Sequence, residues 1–359
     1  MRPVAITGIG CVGAAGAGVA PFAAALEEHL GGAAPPAPSE RVETIRGQAR
    51  DLKLSRIAPF DRERYLPSRK LRRMGELSQV WVIATMLALE DAARPTPDPC
   101  PPDRRGTYLG TGFGCTQTTW EYLDGMLRDG AGMANPFQFS ESVANAPAGH
   151  SAIELDTRGA SVTLTCGDAS AAASVSLAAR AIRDGRIDMA WCGGVEMFSE
   201  PLLRILATVG TPSHLGEGCV CFLLEALDSA RGRGARIYAE VAADTTASDP
   251  SAGAAEWSCD QTLIASTMRR AATGAEARTV FLHAPGSPAA DQAERRAAAD
   301  VCPQARLFET TSMSGSLSAA GGFNLAAAAL HVSRRSAPLT LVNASSWGGS
   351  LFTIALRPV

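Results

Sequence analysis

Short apolar runs alternate with longer stretches of helical period, and the same plan occurs twice along the chain. That alternation confines the chain to an α/β fold, in which strands are separated by crossover helices. In the first half the strands fall at 4–9, 106–112, 161–166, 188–193 and 219–225. A helix is predicted over 71–93, where Leu77, Trp81, Ala84 and Leu87/Ala88 keep a 3.6 period. Another is predicted over 168–184, with Ala172, Val175, Ala179 and Ile182 on one apolar stripe. The second half begins near Ile237, with strands at 237–242, 279–283, 339–343 and 351–356. In each half a Gly-containing turn leads to a closing apolar strand, Cys219–Leu224 in one and Leu351–Leu356 in the other. A duplicated α/β unit accounts for this, with halves 1–230 and 231–359 sharing one core. Residues 31–38, 94–105 and 244–256 read as loops, being rich in Gly, Pro and small polar types.

Composition narrows the function classes. The 359 residues carry 33 Lys+Arg against 36 Asp+Glu, and 46% are hydrophobic. This balance excludes intrinsic disorder, and it offers no basic footprint for nucleic acid. No apolar run reaches the ~20 residues of a membrane helix. Gly8, Gly10 and Gly13 interrupt the first apolar run, which makes a poor signal peptide. Nine scattered cysteines, an odd number, read as free thiols in a reducing cytosol.

Gly8-Ile-Gly10-Cys-Val-Gly13 formally matches a dinucleotide fingerprint. No second strand ends in an acidic residue about twenty positions on, so the run reads as a tight strand-to-helix turn and no cofactor is expected. His29, His214 and His331 lack metal-ligand spacing, and His150 begins a helix and reads as structural. Cys219 and Cys221 share one strand face without a second pair nearby, so no metal is expected either.

The run Thr165-Cys-Gly-Asp-Ala-Ser170 carries more information. A strand ends in a glycine and a helix starts at once, which is the shape of an elbow presenting one side chain at a helix N-terminus. The residue presented is Asp168. On the run alone, Asp168 is equally a plain helix cap, since Asp is among the preferred capping residues.

The segment 159–188, G-A-S-V-T-L-T-C-G-D-A-S-A-A-A-S-V-S-L-A-A-R-A-I-R-D-G-R-I-D, resembles the active-site segment of β-ketoacyl synthases, the thiolase-fold condensing enzymes. The likeness spans nearly the whole chain. It takes in V-A-I-T-G-I-G at the start, S-R-K-L-R-R-M at 68–74, N-A-P-A-G-H at 145–150, C-G-G-V-E at 192–196 and G-E-G at 216–218. It continues through R-G-A-R-I-Y-A-E at 233–240, H-A-P-G-S-P-A-A-D at 283–291, S-M-S-G-S-L-S-A-A-G at 312–321 and N-A-S-S-W-G-G-S at 343–350. The resemblance implies duplicated βαβαβαββ halves in a layered α-β-α-β-α sandwich.

The departures bear on activity. The family condenses acyl units with a Cys nucleophile at the elbow and two histidines. Here the nucleophile position falls on Asp168, with Cys166 two residues earlier in the strand. The first histidine is kept as His283, the second falls on Ser316, and the family's lysine just before it falls on Thr311. The stretch between Glu196 and Gly216 is short and lacks the family's R-P-F-D-type loop, and the gating phenylalanine is replaced by Trp347. A carboxylate is a weak nucleophile, it repels a malonyl carboxylate, and losing one oxyanion donor costs roughly 10²–10³ in rate.

The resemblance therefore implies a catalytically silent subunit like the chain-length factor, or ketosynthase β subunit, of type II polyketide synthases. Such a subunit forms a heterodimer with an active ketosynthase, which works on chains carried by an acyl carrier protein. Strand 161–166 would continue one sheet across the dimer, and Trp120, Phe137, Phe139 and Trp347 are candidate tunnel or interface groups. Chain-length factors usually carry Gln at the elbow, so Asp168 implies a divergent subclass, for instance one serving polyenes. The rival reading is an enzyme in which Asp168 and His283 form an acid–base pair for decarboxylation, hydrolysis or acyl transfer.

Overall fold

A computed structural model describes residues 2–32, 37–95, 98–210, 214–317, 319–335 and 338–359. The first half contributes β1 (Val4–Gly13), β2 (Gly16–Ala17), β3 (Ser39–Glu43), β4 (Ala49–Ser55), β5 (Arg105–Gly110), β6 (Ser161–Leu164), β7 (Met189–Glu196), β8 (His214–Gly216) and β9 (Gly218–Ala226). The second contributes β10 (Ala239–Ser248), β11 (Thr279–Phe281), β12 (Arg306–Phe308), β13 (Thr340–Ser345) and β14 (Ser350–Arg357). The main sheet runs β12-β11-β13-β14-β10-β1-β9-β7-β5-β6, with β2 folded onto β1. Taking β1, β5, β6, β7, β9 and then β10 to β14 as two sets of five, each set lies in the order third, second, fourth, fifth, first. In both sets the first three neighbours are parallel and the last two junctions antiparallel. The sets join where β1 meets β10 through Ala5–Glu240 and Ile6–Ala239.

Five layers follow from where the apolar groups lie. The helices Ser170–Arg183 and Ala320–Arg335 fill the middle, packed with Ile6, Phe222 and Leu224 from one half-sheet and Val342, Ile354 and Leu356 from the other. Helix Glu76–Asp91 covers the outer face of the first half-sheet, through Trp81 and Ile83 against Trp191 and Leu223. Helices Gln261–Ala272 and Pro288–Val301 cover the outer face of the second. The thiolase-like α-β-α-β-α order expected from the sequence is therefore present.

Several expectations shift in detail. The stripe predicted on 168–184 is instead a helix buried nearly all round, with eleven of its fourteen residues inside. Its Ala and Ser residues are small enough to lie between two sheets. Gly8, Gly10 and Gly13 make no turn: they sit within β1. A Cβ at Gly8 or Gly10 would come within 2.1 or 2.0 Å of the carbonyl oxygens of Ala88 and Ala84, so these glycines allow helix Glu76–Asp91 to lie directly on the strand. The helix predicted over 71–93 is Glu76–Asp91, preceded by a single turn at Ser68–Leu71. β10 runs on to Ser248, shortening the loop predicted over 244–256, and the 94–105 loop holds a turn of 3-10 helix at Pro102–Arg104. Residues 33–36 and 96–97, within two of the predicted loops, lie outside the described residues.

A three-stranded sheet, β3-β4-β8, had no counterpart in the sequence reading. Together with helix Glu200–Val209 it buries Val42, Leu52, Leu54, Leu202, Leu203, Leu206 and Leu215 in a separate apolar cluster. All nine cysteines are free thiols. Among the described residues no helix is long and apolar enough to cross a membrane.

Candidate functional site

The elbow is built by one glycine and two serines. Gly167 adopts φ +53°, and a Cβ there would lie 2.1 Å from Ser346 Oγ. The left-handed turn ends the strand early, at Leu164 rather than 166. The Cys166 N–H donates to Ser170 Oγ at 2.9 Å, and Ser170 Oγ donates to the Gly167 carbonyl at 2.6 Å. This closes a 3-10 turn, Gly167–Ala169, that feeds into the central helix. Cys166 thus precedes the elbow in the irregular link, and burial raises the pKa of its thiol.

The structure settles the two readings of Asp168. The residue capping the central helix is Ala169, which makes no side-chain capping bond. Asp168 instead turns its carboxylate toward the second half. Its Oδ2 accepts from Ser316 Oγ at 3.1 Å and lies 3.8 Å from His283 Nε2, beyond hydrogen-bond length. Its N–H donates to Ser346 Oγ at 3.1 Å. Asp168, Ser316 and His283 are 1, 1 and 0% exposed. These three side chains, the candidate site residues of the sequence, therefore converge. Asp168 Oδ1 and both His283 ring nitrogens have no hydrogen-bond partner among the described residues. A carboxylate buried with one hydroxyl donor is a costly arrangement.

The sequence reading missed what holds His283 in place. The buried carboxylate of Glu294 accepts from the N–H groups of His283 (2.9 Å) and Ala284 (3.0 Å), and from Asn343 Nδ2 at 3.0 Å. Asn343 Oδ1 in turn accepts from Thr353 Oγ1. Thr311, at the family's lysine position, donates its hydroxyl to the His283 carbonyl at 2.6 Å. Glu294 sits three residues after Asp291, the last residue of the run at 283–291, so one more step along that motif would have reached it.

Trp347 lies between two further rings. Its centroid is 5.6 Å from Phe113 and 5.7 Å from Trp257, the latter edge to face. The indole N–H groups of Trp257 and Trp347 are buried without an acceptor among the described residues. Two ring contacts at about 0.5–1.5 kcal/mol each fall short of two orphaned donors at about 1–3 kcal/mol each. The arrangement therefore depends on its backbone ties, Asp249 N–H to the Gly349 carbonyl at 2.9 Å and Gly348 N–H to the Glu256 carbonyl at 3.1 Å. Trp120, Phe137 and Phe139 are not brought to this pocket. They are 53, 74 and 57% exposed on helices Thr116–Asp129 and Pro136–Ser142. His150 bonds Glu141 at 2.6 Å, and His214 bonds Ser55 at 2.8 Å while its carbonyl accepts from the Ser316 N–H at 3.1 Å. Cavities of about 710 and 480 Å³ are lined by other residues, among them Met74 and Leu203, and Phe22 and Phe323, whereas one of about 390 Å³ is lined by Lys53, Arg295, Ala284 and Thr311.

A duplicated five-layer fold, with an elbow opening a buried central helix and a histidine facing it from the second half, defines a thiolase-like condensing-enzyme scaffold. Residues 1–209 match the family described as Beta-ketoacyl synthase, N-terminal domain, and the chain belongs to the β-ketoacyl synthase family. It is 27% identical to the 3-oxoacyl-[acyl-carrier-protein] synthase 2 of Coxiella burnetii, over 95% of this chain and 88% of that protein. To the synthase of the same name from Vibrio cholerae it is 26% identical, over 74% of this chain and 71% of that one. Among solved structures, the ishigamide ketosynthase/chain length factor superposes with a TM-score of 0.86 at 23% identity, over 100% of this chain and 99% of that chain. A type II polyketide synthase acyl-carrier protein in complex with its ketosynthase bound to the hexaketide gives 0.82 at 19%, over the full length of both chains. At these identities the structural likeness speaks to the fold alone.

Proposed function

We propose that the chain is a non-condensing ketosynthase homologue, the chain-length-factor-like partner of an active ketosynthase in type II polyketide or fatty-acyl chain biosynthesis. The observation that carries this reading is the elbow itself: a buried carboxylate, Asp168, where a thiolate would be needed, bonded to Ser316 where a second imidazole would be needed. A carboxylate accepting a hydrogen bond has no thioester chemistry to offer, and Ser316 is already committed as its donor. Cys166 offers no substitute, since burial raises the pKa of its thiol and it lies before the elbow glycine.

The surface supports a partner of the same fold. β6 ends the strand order of the main sheet, leaving an outer edge to be paired. Leu127, Met133, Phe137 and Ile153 are 74–86% exposed on the helices that follow β5. Apolar groups so exposed mark an interaction surface. The acyl carrier protein would then meet the assembled pair, with Trp120, Phe137 and Phe139 at the interface or along the path of the growing chain.

Co-expression with a ketosynthase holding an intact Cys-His-His centre, together with its carrier protein, tests the reading. A 1:1 heterodimer is expected, with product formation surviving Asp168→Ala. Loss of turnover with the heterodimer intact would sink it and favour an Asp168–His283 acid–base enzyme. A thiol-directed condensing-enzyme inhibitor is expected to label the partner and leave this chain unmodified.

A further inference from the structure

We infer that Ser55 and His214 form a nucleophile–base pair outside the elbow, which takes an aliphatic acyl group from an ester or thioester while the acyl chain lies in the apolar cavity beside Ser55. This activity goes beyond the proposed subunit role and does not rest on it.

The small sheet positions the pair. β4 and β8 run parallel, with Lys53 opposite His214 and Ser55 opposite Gly216, so Ser55 lies two residues along on the same face as His214. Ser55 Oγ is 2.8 Å from His214 Nε2, and its second acceptor, the Met313 carbonyl, is 3.3 Å away. The backbone around Ser55 is fixed by Glu217. Its N–H donates to the Ser55 carbonyl at 3.0 Å, and its carboxylate accepts from the Ile57 and Phe198 N–H groups at 3.0 and 2.9 Å. The backbone of His214 is held by Ser316, whose N–H donates to the His214 carbonyl at 3.1 Å. A Cβ at Gly216 would lie 1.7 Å from the Ser314 carbonyl oxygen, so the turn over 313–315 lies directly on β8.

The surroundings suit proton transfer. Burial, and then the Lys53 ammonium, lower the pKa of His214, with Glu309 acting the other way, so the imidazole is neutral at pH 7 and can take the Ser55 proton. Ser55 stands at the wall of a cavity of about 480 Å³, a size usual for small-molecule sites. Phe22, Leu54, Ile57, Met313 and Phe323 give that cavity its apolar lining, with the Phe22 and Phe323 rings 5.5 Å apart. The other serine in the wall, Ser314, donates to the Thr310 carbonyl within its own turn. Ser55 is thus the hydroxyl there that is bonded to a base. Attack by Ser55 Oγ forms a C–O bond to the acyl carbon as its proton passes to His214 Nε2. The bond from that carbon to the leaving sulfur or oxygen then breaks, and the same proton is handed to the leaving atom. The products are an acyl ester of Ser55 and a free thiol or alcohol. Water attacks that ester next: its proton passes through Nε2 to Ser55 Oγ, and the carboxylic acid departs.

Acylation of Ser55 tests the pair. The full chain is treated with the p-nitrophenyl ester of octanoic acid, quenched in acid and mapped by peptide mass, after neutral hydroxylamine has stripped thioesters from the free cysteines. An octanoyl ester on Ser55 is expected, absent from Ser55→Ala and formed about 10²-fold more slowly in His214→Gln, as loss of a general base requires. The acetyl ester is expected to react at least about ten-fold more slowly than the octanoyl ester, because it leaves the apolar cavity unfilled. The N-acetylcysteamine thioester of octanoic acid separates the two donors: acylation by it as well assigns a thioester, and acylation by the oxygen ester alone assigns an ester. If Ser55→Ala does not fold, His214→Gln, which keeps the hydroxyl, is read in its place. A serine that merely ties β4 to β8 gives neither an adduct on Ser55 nor a Ser55-dependent release of p-nitrophenol, and that result overturns the pair. Acylation that His214→Gln leaves at the parent rate, or equal rates for the two chain lengths, overturns it too. The subunit reading fails separately, through lost turnover in the Asp168→Ala heterodimer.

Discussion

Ser316 Oγ donates to Asp168 Oδ2 at 3.1 Å across 148 residues of chain, with both side chains 1% exposed. This bond ties the first half's elbow to the second half's loop. Ser316→Ala leaves the buried carboxylate without its hydroxyl donor and is expected to cost about 1.5–3 kcal/mol in urea unfolding. Asp168→Asn removes the buried charge yet keeps an oxygen for Ser316 to bond. It is expected to be neutral or stabilising. The reverse ranking of the two variants would show that the bond is incidental.

Glu294 is expected to matter more than His283 for folding. It takes three hydrogen bonds at once, from two backbone N–H groups and Asn343. Glu294→Ala orphans all three donors and should cost about 3 kcal/mol or more. His283 makes no side-chain hydrogen bond among the described residues, so His283→Leu should shift the same transition by less. Equal losses would mean that the imbalance in hydrogen bonding has no bearing on stability.

Much of the fold was legible because the periodicities that define it are set by burial. Most strands of both halves, the central helix and the repeat announce themselves as apolar runs, but β12, three residues long and largely exposed, does not. The small sheet β3-β4-β8 did not: β3 reads Ser-Glu-Arg-Val-Glu with only Val42 buried, so its alternation is drowned by charge. The glycines of β1 misled because a G-x-G-x-x-G spacing looks the same whether the missing Cβ admits a phosphate or a helix backbone. At the site, Asp168, His283 and Ser316 were readable from spacing to known motifs. Ser346 and Trp257 were not, since each acts through a contact made across the two halves or between distant loops, and Glu294 was passed over although it lies just beyond the run at 283–291.

The β1 glycines give a sharp contrast in mutability. Gly10→Ala puts a methyl group against the Ala84 carbonyl, which is helix backbone and cannot rotate away. Overpacking of this kind is expected to cost about 3 kcal/mol or to prevent folding. Gly149 lies within the helix Ala146–Glu154, and a methyl group added there would meet nothing within 4 Å. Gly149→Ala should therefore stabilise the isolated chain by about 0.5–1 kcal/mol. Thermal unfolding of the two variants checks both signs.

Acid stability should depend on Asp188. Its carboxylate is held at about 2, chiefly by hydrogen bonds from Arg104 and also by Arg2. A folded-state value below the unfolded one contributes stability that is full above about pH 4 and is lost as pH falls toward 2. The cluster is partly open to water, so the contribution is below about 1 kcal/mol. Asp188→Asn is expected to flatten that part of the pH–stability curve and leave the curve above pH 5 parallel to the parent. An unchanged slope between pH 4 and 2 would place the acid sensitivity elsewhere.

The exposed helices after β5 make the strongest case for a partner, and they can be tested without any assay of activity. Leu127 and Phe137 are 86 and 74% exposed, and Phe139 has its ring against Tyr122, with ring centroids 5.7 Å apart. Covering a Leu or Phe side chain is worth about 1.5–3 kcal/mol. Replacing both Leu127 and Phe137 by Glu removes that gain twice over, which corresponds to about 10²–10⁴ in the dissociation constant. Because neither side chain is buried in the chain alone, the double variant should fold with unchanged thermal stability and be less prone to self-association. Its binding to the co-expressed ketosynthase, read by calorimetry, should fall by that factor. Unaltered affinity would move the interface away from these helices and leave the β6 edge as the surface to which a partner of this fold must bind.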